Sequence, residues 1–282
     1  MATMREIKRR RSSIQSTQQI TKAMKLVSTV KLQKARTHAE NAKAYFQYMY
    51  QTIASILAQA GTVNHPYVQG SESKKIGIVV VTSNRGLAGG YNANIVRMIA
   101  NGTFEKEQIR LYTVGKKGAD GLSRKGYEIA ADYSDAIEEP QYQEAKLISE
   151  RLLQDFANGE IGEIYLAYTE FKNTVSQIPK MIKLLPVEAK EQFVDNLTLM
   201  NFEPSEEEVI ERLVPQYMSS ILYGAFVEAL ASENGARMQA MDAATNNAEE
   251  IINELELKYN RARQGAITQE LTEIIAGAEA IG

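Results

Sequence analysis

A glycine-rich run between a strand pattern and a helix pattern is the first feature of this sequence that could do chemistry. The run Asn84-Arg85-Gly86-Leu87-Ala88-Gly89-Gly90 follows the apolar stretch 75–83. A phosphate can bind the backbone N–H groups of a helix that starts after such a loop. However, the run has neither the Gly-Lys-Ser/Thr of a Walker A motif nor the G-x-G-x-x-G spacing of a dinucleotide fingerprint. A tight strand-to-helix turn is therefore favoured over a nucleotide site.

Residue types that catalyse reactions or bind metals are scarce. The 282 residues include no Cys, and the two histidines, His38 and His65, are 27 positions apart, so neither a thiolate nucleophile nor a zinc site is expected. Glu270 and Glu273 lie three apart on one predicted helix face and could act as an acid/base pair. No pocket is implied around them, which favours an exposed pair. We expect a chain that is not an enzyme and has no cofactor and no metal.

The charge is distributed asymmetrically along the chain. Residues 1–43 carry eleven Lys/Arg against two Asp/Glu, whereas residues 203–282 carry five Lys/Arg against fifteen Asp/Glu. A basic segment of this density can bind nucleic acid or anionic lipid. The acidic flank favours a different interpretation, in which the two flanks pair with each other or with charged protein surfaces.

The positions of proline and glycine indicate which elements carry these residues. All six prolines fall between 66 and 215, and the first 60 residues contain neither Pro nor Gly. Because these residues interrupt helices, both ends of the chain are free to be continuous helix. We predict helices over 1–60 and 206–282 and a compact domain over 70–205, with Pro215 as the place where the second helix bends.

Both predicted helices carry seven-residue repeats that are typical of coiled coils. On the N-terminal helix the repeating positions are Ile7, Ile14, Thr21, Ser28 and Ala35, with Arg11, Gln18, Lys25 and Leu32 beside them. On the C-terminal helix they include Met238, Thr245, Ile252 and Tyr259, with Met241, Ala248, Leu255 and Ala262 beside them. Since one helix begins the chain and the other ends it, with a domain between them, antiparallel pairing is predicted.

The last residues of the C-terminal helix extend beyond the reach of the N-terminal helix in this arrangement. Met1 would lie opposite roughly residue 265, which leaves about 17 residues without an intramolecular partner. This tail carries an apolar stripe that an isolated helix cannot bury, consisting of Ile267, Leu271, Ile274, Ile275, Ala278 and Ile281. The tail therefore needs another chain or a fold-back of its own.

The central domain alternates strand and helix patterns. Strands are predicted at 75–83, 109–114, 161–171 and 178–187, and helices at 91–99, 118–125 and 141–157. Such alternation predicts a small open α/β sheet of the Rossmann type. The fold class is thus a long antiparallel coiled coil of the terminal helices plus a central α/β domain.

Three motifs lie at the two ends and in the middle of the chain. They are the N-terminal run 19–28, QITKAMKLVS, the central run 82–94, TSNRGLAGGYNAN, and the C-terminal run 267–280, ITQELTEIIAGAEA. In this order they resemble the gamma subunit of bacterial F-type ATP synthases over the whole chain, and the C-terminal run fits that family's signature, including Thr268, Glu270 and Glu273. The sequence departs from the family at Gln18-Gln19, where a basic residue is common, and has no cysteine-bearing regulatory insert.

The resemblance implies a non-catalytic rotor that couples ion flow to ATP synthesis or hydrolysis. Its coiled coil would turn inside a ring of alternating alpha and beta subunits, and its α/β domain would contact the epsilon subunit and the membrane c-ring. Nucleic acid is not an implied partner, and the membrane is reached only through the complex. The implied location is peripheral, at the cytoplasmic face of the bacterial cell membrane. A stand-alone nucleotide-binding protein and a nucleic-acid-binding coiled coil are the alternatives.

The resemblance also assigns partner-contacting residues by motif position. Met24 and Lys25 correspond to the pair beside an acidic beta-subunit loop. Arg237, Gln264 and Thr268 correspond to residues that hydrogen-bond a beta-subunit loop in one rotary position. Glu270, Ile274 and Ile275 lie in the C-terminal signature, where the apolar stripe would run in an apolar sleeve of the ring.

Overall fold

A computed structural model describes residues 3–59, 65–71, 73–187 and 205–279 of the chain. The helices are α1 (Met4–Gln59), α2 (Pro66–Gln69), α3 (Tyr91–Ala100), α4 (Lys116–Ser123), α5 (Tyr142–Ala157) and α6 (Glu206–Glu279). The strands are β1 (Ile76–Val81), β2 (Ile109–Val114), β3 (Glu128–Asp132), β4 (Glu163–Phe171) and β5 (Gln177–Leu185). Short 3₁₀ turns occupy Lys106–Gln108 and Ser134–Ile137.

The five strands form one sheet in the order β3-β2-β1-β4-β5. The first four are parallel, and β5 pairs antiparallel with β4 at one edge. This architecture confirms the predicted fold class. The sequence patterns did not predict β3, a five-residue edge strand whose residues are all partly or fully exposed.

The core lies on both faces of the sheet, which explains the uninterrupted apolar run in β1. Val79 and Val81 point to the face covered by α5 and the first part of α6, where they share a cluster with Phe156 and Phe226. Ile78 and Val80 point to the opposite face and join a cluster contributed by α3 and α4. A strand buried on both faces has no polar alternation, so its sequence reads as a continuous hydrophobic segment.

Spatial contacts divide the chain into two units, to both of which α1 and α6 contribute. The sheet unit comprises Thr29–Arg237, and the paired-helix unit comprises the chain up to Ser28 together with the chain from Met238 onward. The predicted segments 1–60, 70–205 and 206–282 follow secondary structure and remain predictions as domain boundaries. The predicted end of the first helix, residue 60, lies outside the described residues.

The paired-helix unit is an antiparallel coiled coil with a largely polar seam. Thr21 Oγ1 lies 2.8 Å from Thr245 Oγ1, Lys25 Nζ lies 2.5 Å from Asp242 Oδ1, and Arg11 Nη1 lies 3.1 Å from Glu256 Oε1. As residue numbers rise along α1 they fall along α6, which confirms the predicted direction. The least exposed positions repeat at the predicted spacing, and they are Ile7, Thr21, Ser28, Met241, Ala248 and Leu255.

The start of α6 matches its sequence pattern. Ser205 Oγ accepts a hydrogen bond from the backbone N–H of Glu208 at 3.2 Å, as an N-cap residue does. Pro215 lies inside the helix and has no N–H to donate. Its own carbonyl oxygen accepts a hydrogen bond from Ser219 Oγ at 2.7 Å. A bend of α6 at this residue remains a prediction.

Candidate functional site

The site of interest in the sheet unit is the crevice at the carboxyl ends of β1 and β4. After β1 the chain continues to β2 and β3, which lie on one side of β1 in the sheet. It then returns through α5 to β4, which lies on the other side of β1. Open α/β sheets bind their ligands at such a switch point. Here the crevice is occupied by α6, because Ser232 Oγ donates to the carbonyl oxygen of Thr169 at 2.9 Å and Tyr91 Oη donates to that of Ala229 at 3.2 Å.

Gly235 shows how closely α6 approaches the β4–β5 hairpin. A Cβ atom added at this glycine would lie 3.4 Å from Gln177 Nε2 and 3.6 Å from a ring carbon of Phe171. Both distances correspond to van der Waals contact, so little space remains between the helix and the hairpin. The helix therefore takes the place of a ligand in this crevice.

Arg237 connects α6 to the glycine-rich loop. Its Nη1 lies 2.6 Å from Glu233 Oε1, one helical turn earlier, and both side chains are only 11% exposed. Its Nη2 donates long hydrogen bonds to the carbonyl oxygens of Arg85 at 3.5 Å and Gly86 at 3.4 Å. A planar guanidinium can serve a carboxylate and two carbonyls together, which a lysine ammonium does poorly. We call this arrangement the Arg237 clamp.

The electrostatics of the clamp reflect its burial. Desolvation raises the pKa of the Glu233 carboxyl above its ordinary value of 4.5, and the nearby Arg237 and Lys31 oppose that rise without cancelling it. Burial likewise raises the pKa of the Tyr91 hydroxyl well above 10, so this group is a neutral donor at physiological pH. The crevice therefore holds one charged pair, Arg237–Glu233, and a neutral hydrogen bond from Tyr91 to α6 beside that of Ser232.

The glycine-rich loop is a tight strand-to-helix turn, as favoured from the sequence. Asn92 Oδ1 accepts a hydrogen bond from the backbone N–H of Ser83 at 2.9 Å and so fastens the start of α3 to the end of β1. Leu87 and Gly89 have positive φ angles of 62° and 56°, which the reversal of the chain requires. The loop is therefore held by a hydrogen bond within the chain.

The N-terminus of α4, where a phosphate could bind, is already satisfied by protein oxygens. Its first three N–H groups donate to the residues that follow β1: Lys116 to Asn84 Oδ1 at 3.0 Å, Lys117 to the Ser83 carbonyl at 3.0 Å and Gly118 to Thr82 Oγ1 at 2.8 Å. Because these are the donors that an anion would use, a phosphate at the start of α4 would have to displace three hydrogen bonds. The geometry opposes an anion site at this helix.

The predicted partner-contacting residues do not form one cluster. Met24 is half-buried beside the seam, and Lys25 forms the ion pair with Asp242 while its side chain remains 40% exposed. Arg237 lies in the clamp of the sheet unit. Gln264 and Thr268 are exposed and joined by a hydrogen bond from Thr268 Oγ1 to the Gln264 carbonyl at 2.9 Å. Their roles toward partners remain predictions.

The end of α6 exposes the apolar stripe anticipated from the sequence. Ile267, Leu271, Ile274 and Ile275 are 48–69% exposed, whereas Ile281 lies outside the described residues. Glu270 and Glu273 are also exposed, and Glu273 Oε1 accepts a hydrogen bond from Gln269 Nε2 at 2.9 Å. The two carboxylates are a solvated pair, which agrees with the interpretation favoured from the sequence.

Several residues of the crevice were missed by sequence reasoning. Glu233 could have been found, because it precedes Arg237 by four positions on a predicted helix and such pairs interact. Thr82 and Asn84 lie in the central motif 82–94, but their contacts with α4 had no signal in the sequence. Ser232 had no signal at all, because its partner Thr169 lies in a remote part of the chain. Among the described residues, no group of three or more His, Cys, Asp or Glu side chains could hold a metal. No helix in the described ranges is both long and apolar enough to cross a membrane.

Comparison with known proteins gives consistent matches over the full length. The sequence model of the ATP synthase family matches residues 3–281. The chain is 58% identical over 290 residues to the ATP synthase gamma chain of Lachnoclostridium phytofermentans, with 100% of each chain covered. It is 40% identical over 297 residues to the sodium-ion-specific ATP synthase gamma chain of Acetobacterium woodii, with 99% of this chain and 98% of that chain covered.

The fold also matches solved structures. A chain in a cryo-EM structure of the mitochondrial ATP synthase of Euglena gracilis, comprising OSCP, F1 and c-ring, superposes with a TM-score of 0.75. The superposition covers 99% of this chain and 94% of that chain at 19% sequence identity. At this identity the likeness concerns the fold.

Proposed function

The chain belongs to the gamma-chain family of the ATP synthases, and on that premise we propose that its two units act as the shaft and the driven base of the rotor. As a gamma chain it is the non-catalytic rotor subunit that couples ion flow through the membrane sector to ATP synthesis or hydrolysis. Catalysis takes place on the beta subunits. The contribution of this chain is mechanical.

The polar seam of the paired-helix unit is the observation that carries the assignment of the shaft. A helix pair that turns against its surroundings has to stay paired without offering a strongly adhesive outer surface. Lys25–Asp242 and Arg11–Glu256 join the helices across the seam while their side chains stay partly exposed. Partly exposed ion pairs of this kind contribute only about 0.2–1 kcal/mol each. Contacts of similar strength to beta subunits can be made and broken in every turn.

The Arg237 clamp and the filled crevice support the role of the sheet unit as the driven base. A twisting force applied to this unit has to reach α6 without slippage. Ser232, Gly235 and Arg237 tie one segment of α6 to three different loops or strands of the sheet unit. Because the crevice is packed rather than open, the sheet and this helix segment turn together.

The partners of the proposed rotor are the alpha, beta and epsilon subunits and the c-ring. Met24, Lys25 and the exposed apolar stripe with Ile274 and Ile275 are the surfaces we assign to the surrounding ring. The angle of an asymmetric shaft would present a different face to each beta subunit and so bias its open and closed states. We place the complex peripherally at the cytoplasmic face of the bacterial cell membrane.

Co-purification and crosslinking test this function. The chain should co-elute with alpha and beta subunits from the same organism, and failure to do so would contradict the rotor. The chain has no natural Cys, so Met24→Cys can be crosslinked to the beta subunit without background. A verified crosslink should stop ATP turnover, and reduction should restore it. Unchanged turnover in the crosslinked complex would exclude rotation against that subunit.

Two controls separate this function from its alternatives. Met24→Ser treated with the same crosslinker should retain full turnover, because it lacks the thiol. The isolated chain should show neither saturable ATP binding nor DNA binding that weakens steeply with salt. Saturable ATP binding that is lost in a Gly89→Ala variant would instead support a nucleotide-binding protein.

A further inference from the structure

A cavity of the sheet unit adjoins the Arg237 clamp and has no assigned role. It has a volume of about 330 Å³ and is bounded by α1, α6 and the loop that precedes α5. This volume falls at the lower end of the range of small-molecule sites, roughly 300–1,000 Å³. We call it the α1–α6 cleft.

One wall of the cleft is basic. It is formed by Lys31, Lys34 and His38, which recur at intervals of three and four residues and therefore lie on one face of α1. All three are exposed. Within the described ranges, Lys34 and His38 form no ion pair, so their polar groups are available to an occupant of the cleft.

The opposite wall is acidic. Glu138 and Glu139 line it immediately before Pro140. Glu138 lies 3.9 Å from the well-exposed Arg85, a weak contact, and Glu139 forms no ion pair in the part of the chain that the structure describes. Lys31 lowers and Glu138 raises the pKa of the neighbouring Glu233. The two walls therefore act with opposite sign on a common neighbour.

The floor between the walls is apolar. It is built from Ala35 on α1 and from Val227, Leu230 and Tyr223 on α6. Ala35 and Val227 are 3% and 4% exposed and belong to the packed interior, whereas Tyr223 and Leu230 are half-buried. Covering the apolar surface that Tyr223 and Leu230 still expose would be favourable by about 25 cal/mol per Å².

From this arrangement we propose that the α1–α6 cleft binds a small zwitterionic amphiphile with an anionic end, an apolar middle and a cationic end. The anionic end pairs with Lys31 and Lys34, the apolar middle covers Tyr223 and Leu230, and the cationic end pairs with Glu138 and Glu139. A simple anion such as phosphate would be repelled by the acidic wall, and a simple cation by the basic wall. The inference does not depend on the rotor function, since it uses only the walls and floor of the cleft.

Three probes with the same apolar middle test the proposal on the full-length chain. They are 8-aminooctanoate, octanoate and octylamine, and their binding is followed by calorimetry or by NMR shift changes. The zwitterion should bind about tenfold more tightly than either singly charged analogue, a difference of about 1.4 kcal/mol. Equal affinities for all three probes, or no saturation by the zwitterion up to about 20 mM, would overturn the proposal.

Variants locate the binding. In the double variant Lys31→Gln/Lys34→Gln, the zwitterion should lose its advantage over octylamine. Lys125→Gln, which removes an exposed lysine outside the cleft lining, should leave all affinities unchanged. Val227→Trp should abolish binding by filling the floor, with urea unfolding as the check on its fold. If Val227→Trp fails to fold, the surface variants decide alone, and an unchanged zwitterion affinity in the lysine double variant contradicts the assigned site.

Discussion

The guanidinium of Arg237 and the carboxylate of Glu233 form a close ion pair in which both side chains are almost completely withdrawn from solvent. The pair joins consecutive turns of α6, and the same guanidinium also reaches the carbonyl oxygens of Arg85 and Gly86. It is thus shared between a helix and a loop that lie about 150 residues apart in the sequence. Such an arrangement makes the clamp sensitive to side-chain geometry as well as to charge.

Arg237→Lys should destabilise the isolated chain although it conserves the charge. An ammonium cannot serve Glu233 and both loop carbonyls at once, so the expected loss is about 1–3 kcal/mol in the free energy of unfolding by urea. The matched control is Arg212→Lys, because Arg212 is 79% exposed and lies 3.9 Å from Glu208 on the same helix. That control should change stability by less than about 0.5 kcal/mol. Equal effects of the two substitutions would show that the planar guanidinium of Arg237 contributes no more to stability than its charge does.

Glu233→Gln should change how stability depends on pH. Because burial raises the pKa of this carboxyl above 4.5, the folded chain binds more protons than the unfolded chain between the two pKa values. The contribution of Glu233 to stability is therefore fully present below pH 4.5 and is lost as pH rises through the raised folded value. Glutamine does not titrate, so the stability of the native chain relative to Glu233→Gln should fall over that interval.

Urea midpoints of both proteins, measured from below pH 4.5 to neutrality, provide the comparison. Parallel curves would mean that Glu233 has the same pKa in the folded and unfolded chains. If the stability of the native chain relative to Glu233→Gln rises with pH, Arg237 lowers the pKa of Glu233 by more than burial raises it.

Paired cysteines should report the register of the antiparallel helices. Thr21→Cys with Thr245→Cys should form a disulfide under mild oxidation, because the two hydroxyl oxygens lie 2.8 Å apart across the seam. Thr21→Cys with Met238→Cys should stay reduced, since Met238 is one heptad, about 10 Å, farther along α6. Non-reducing electrophoresis distinguishes the products. Equal yields for both pairs would indicate that the helices slide or pair in another register.

Two glycines should respond oppositely to alanine. Gly115 has a φ of +116°, and an added Cβ would lie 2.1 Å from the carbonyl oxygen of Thr82, so Gly115→Ala should cost about 3 kcal/mol or more. Gly265 lies inside α6 with no atom within 4 Å of an added Cβ. Gly265→Ala should stabilise the helix by about 0.5–1 kcal/mol. Thermal unfolding followed by circular dichroism would reveal both shifts, and a stable Gly115→Ala would contradict the described turn.

The tip of α6 should matter for the complex and not for the isolated chain. Ile274→Ser with Ile275→Ser removes two side chains that are 69% and 60% exposed, so the chain's own stability should change by less than about 0.5 kcal/mol. If the stripe contacts the surrounding ring, coupled ATP synthesis by the reconstituted complex should fall severalfold. Leu257→Ser, which removes an equally exposed side chain from the paired part of α6, should leave synthesis unchanged. Identical rates of ATP synthesis with the native chain, the double variant and Leu257→Ser would show that the tip of α6 does not contact the partners.

The elements with periodic patterns were predictable from the sequence. The seven-residue repeat predicted the seam, because a two-helix interface buries the same two positions of every repeat along its length. Strand β2 was predicted with the bounds that the structure has, since Ile109–Val114 is apolar and is followed by glycine. Strand β3 was not, because Glu128–Asp132 owes its strand state to pairing with β2 and has little hydrophobic signal of its own.

The crevice was harder to predict because its contacts join distant parts of the chain. Motif comparison singled out Arg237, but no spacing or pattern placed it against Arg85 and Gly86. The same holds for Ser232 and Thr169, whose hydrogen bond depends on where α6 crosses the sheet. Local spacing identifies helix faces, whereas the partner of a face is determined by the packing of the whole unit.

The three occupied N–H groups at the start of α4 leave no free donor there for a phosphate. Oxygens of Thr82, Ser83 and Asn84 already accept from them. A change in the cell's ratio of ATP to ADP therefore has no receptor at this end of α4. At this helix the chain can respond to nucleotide only through the subunits that surround it.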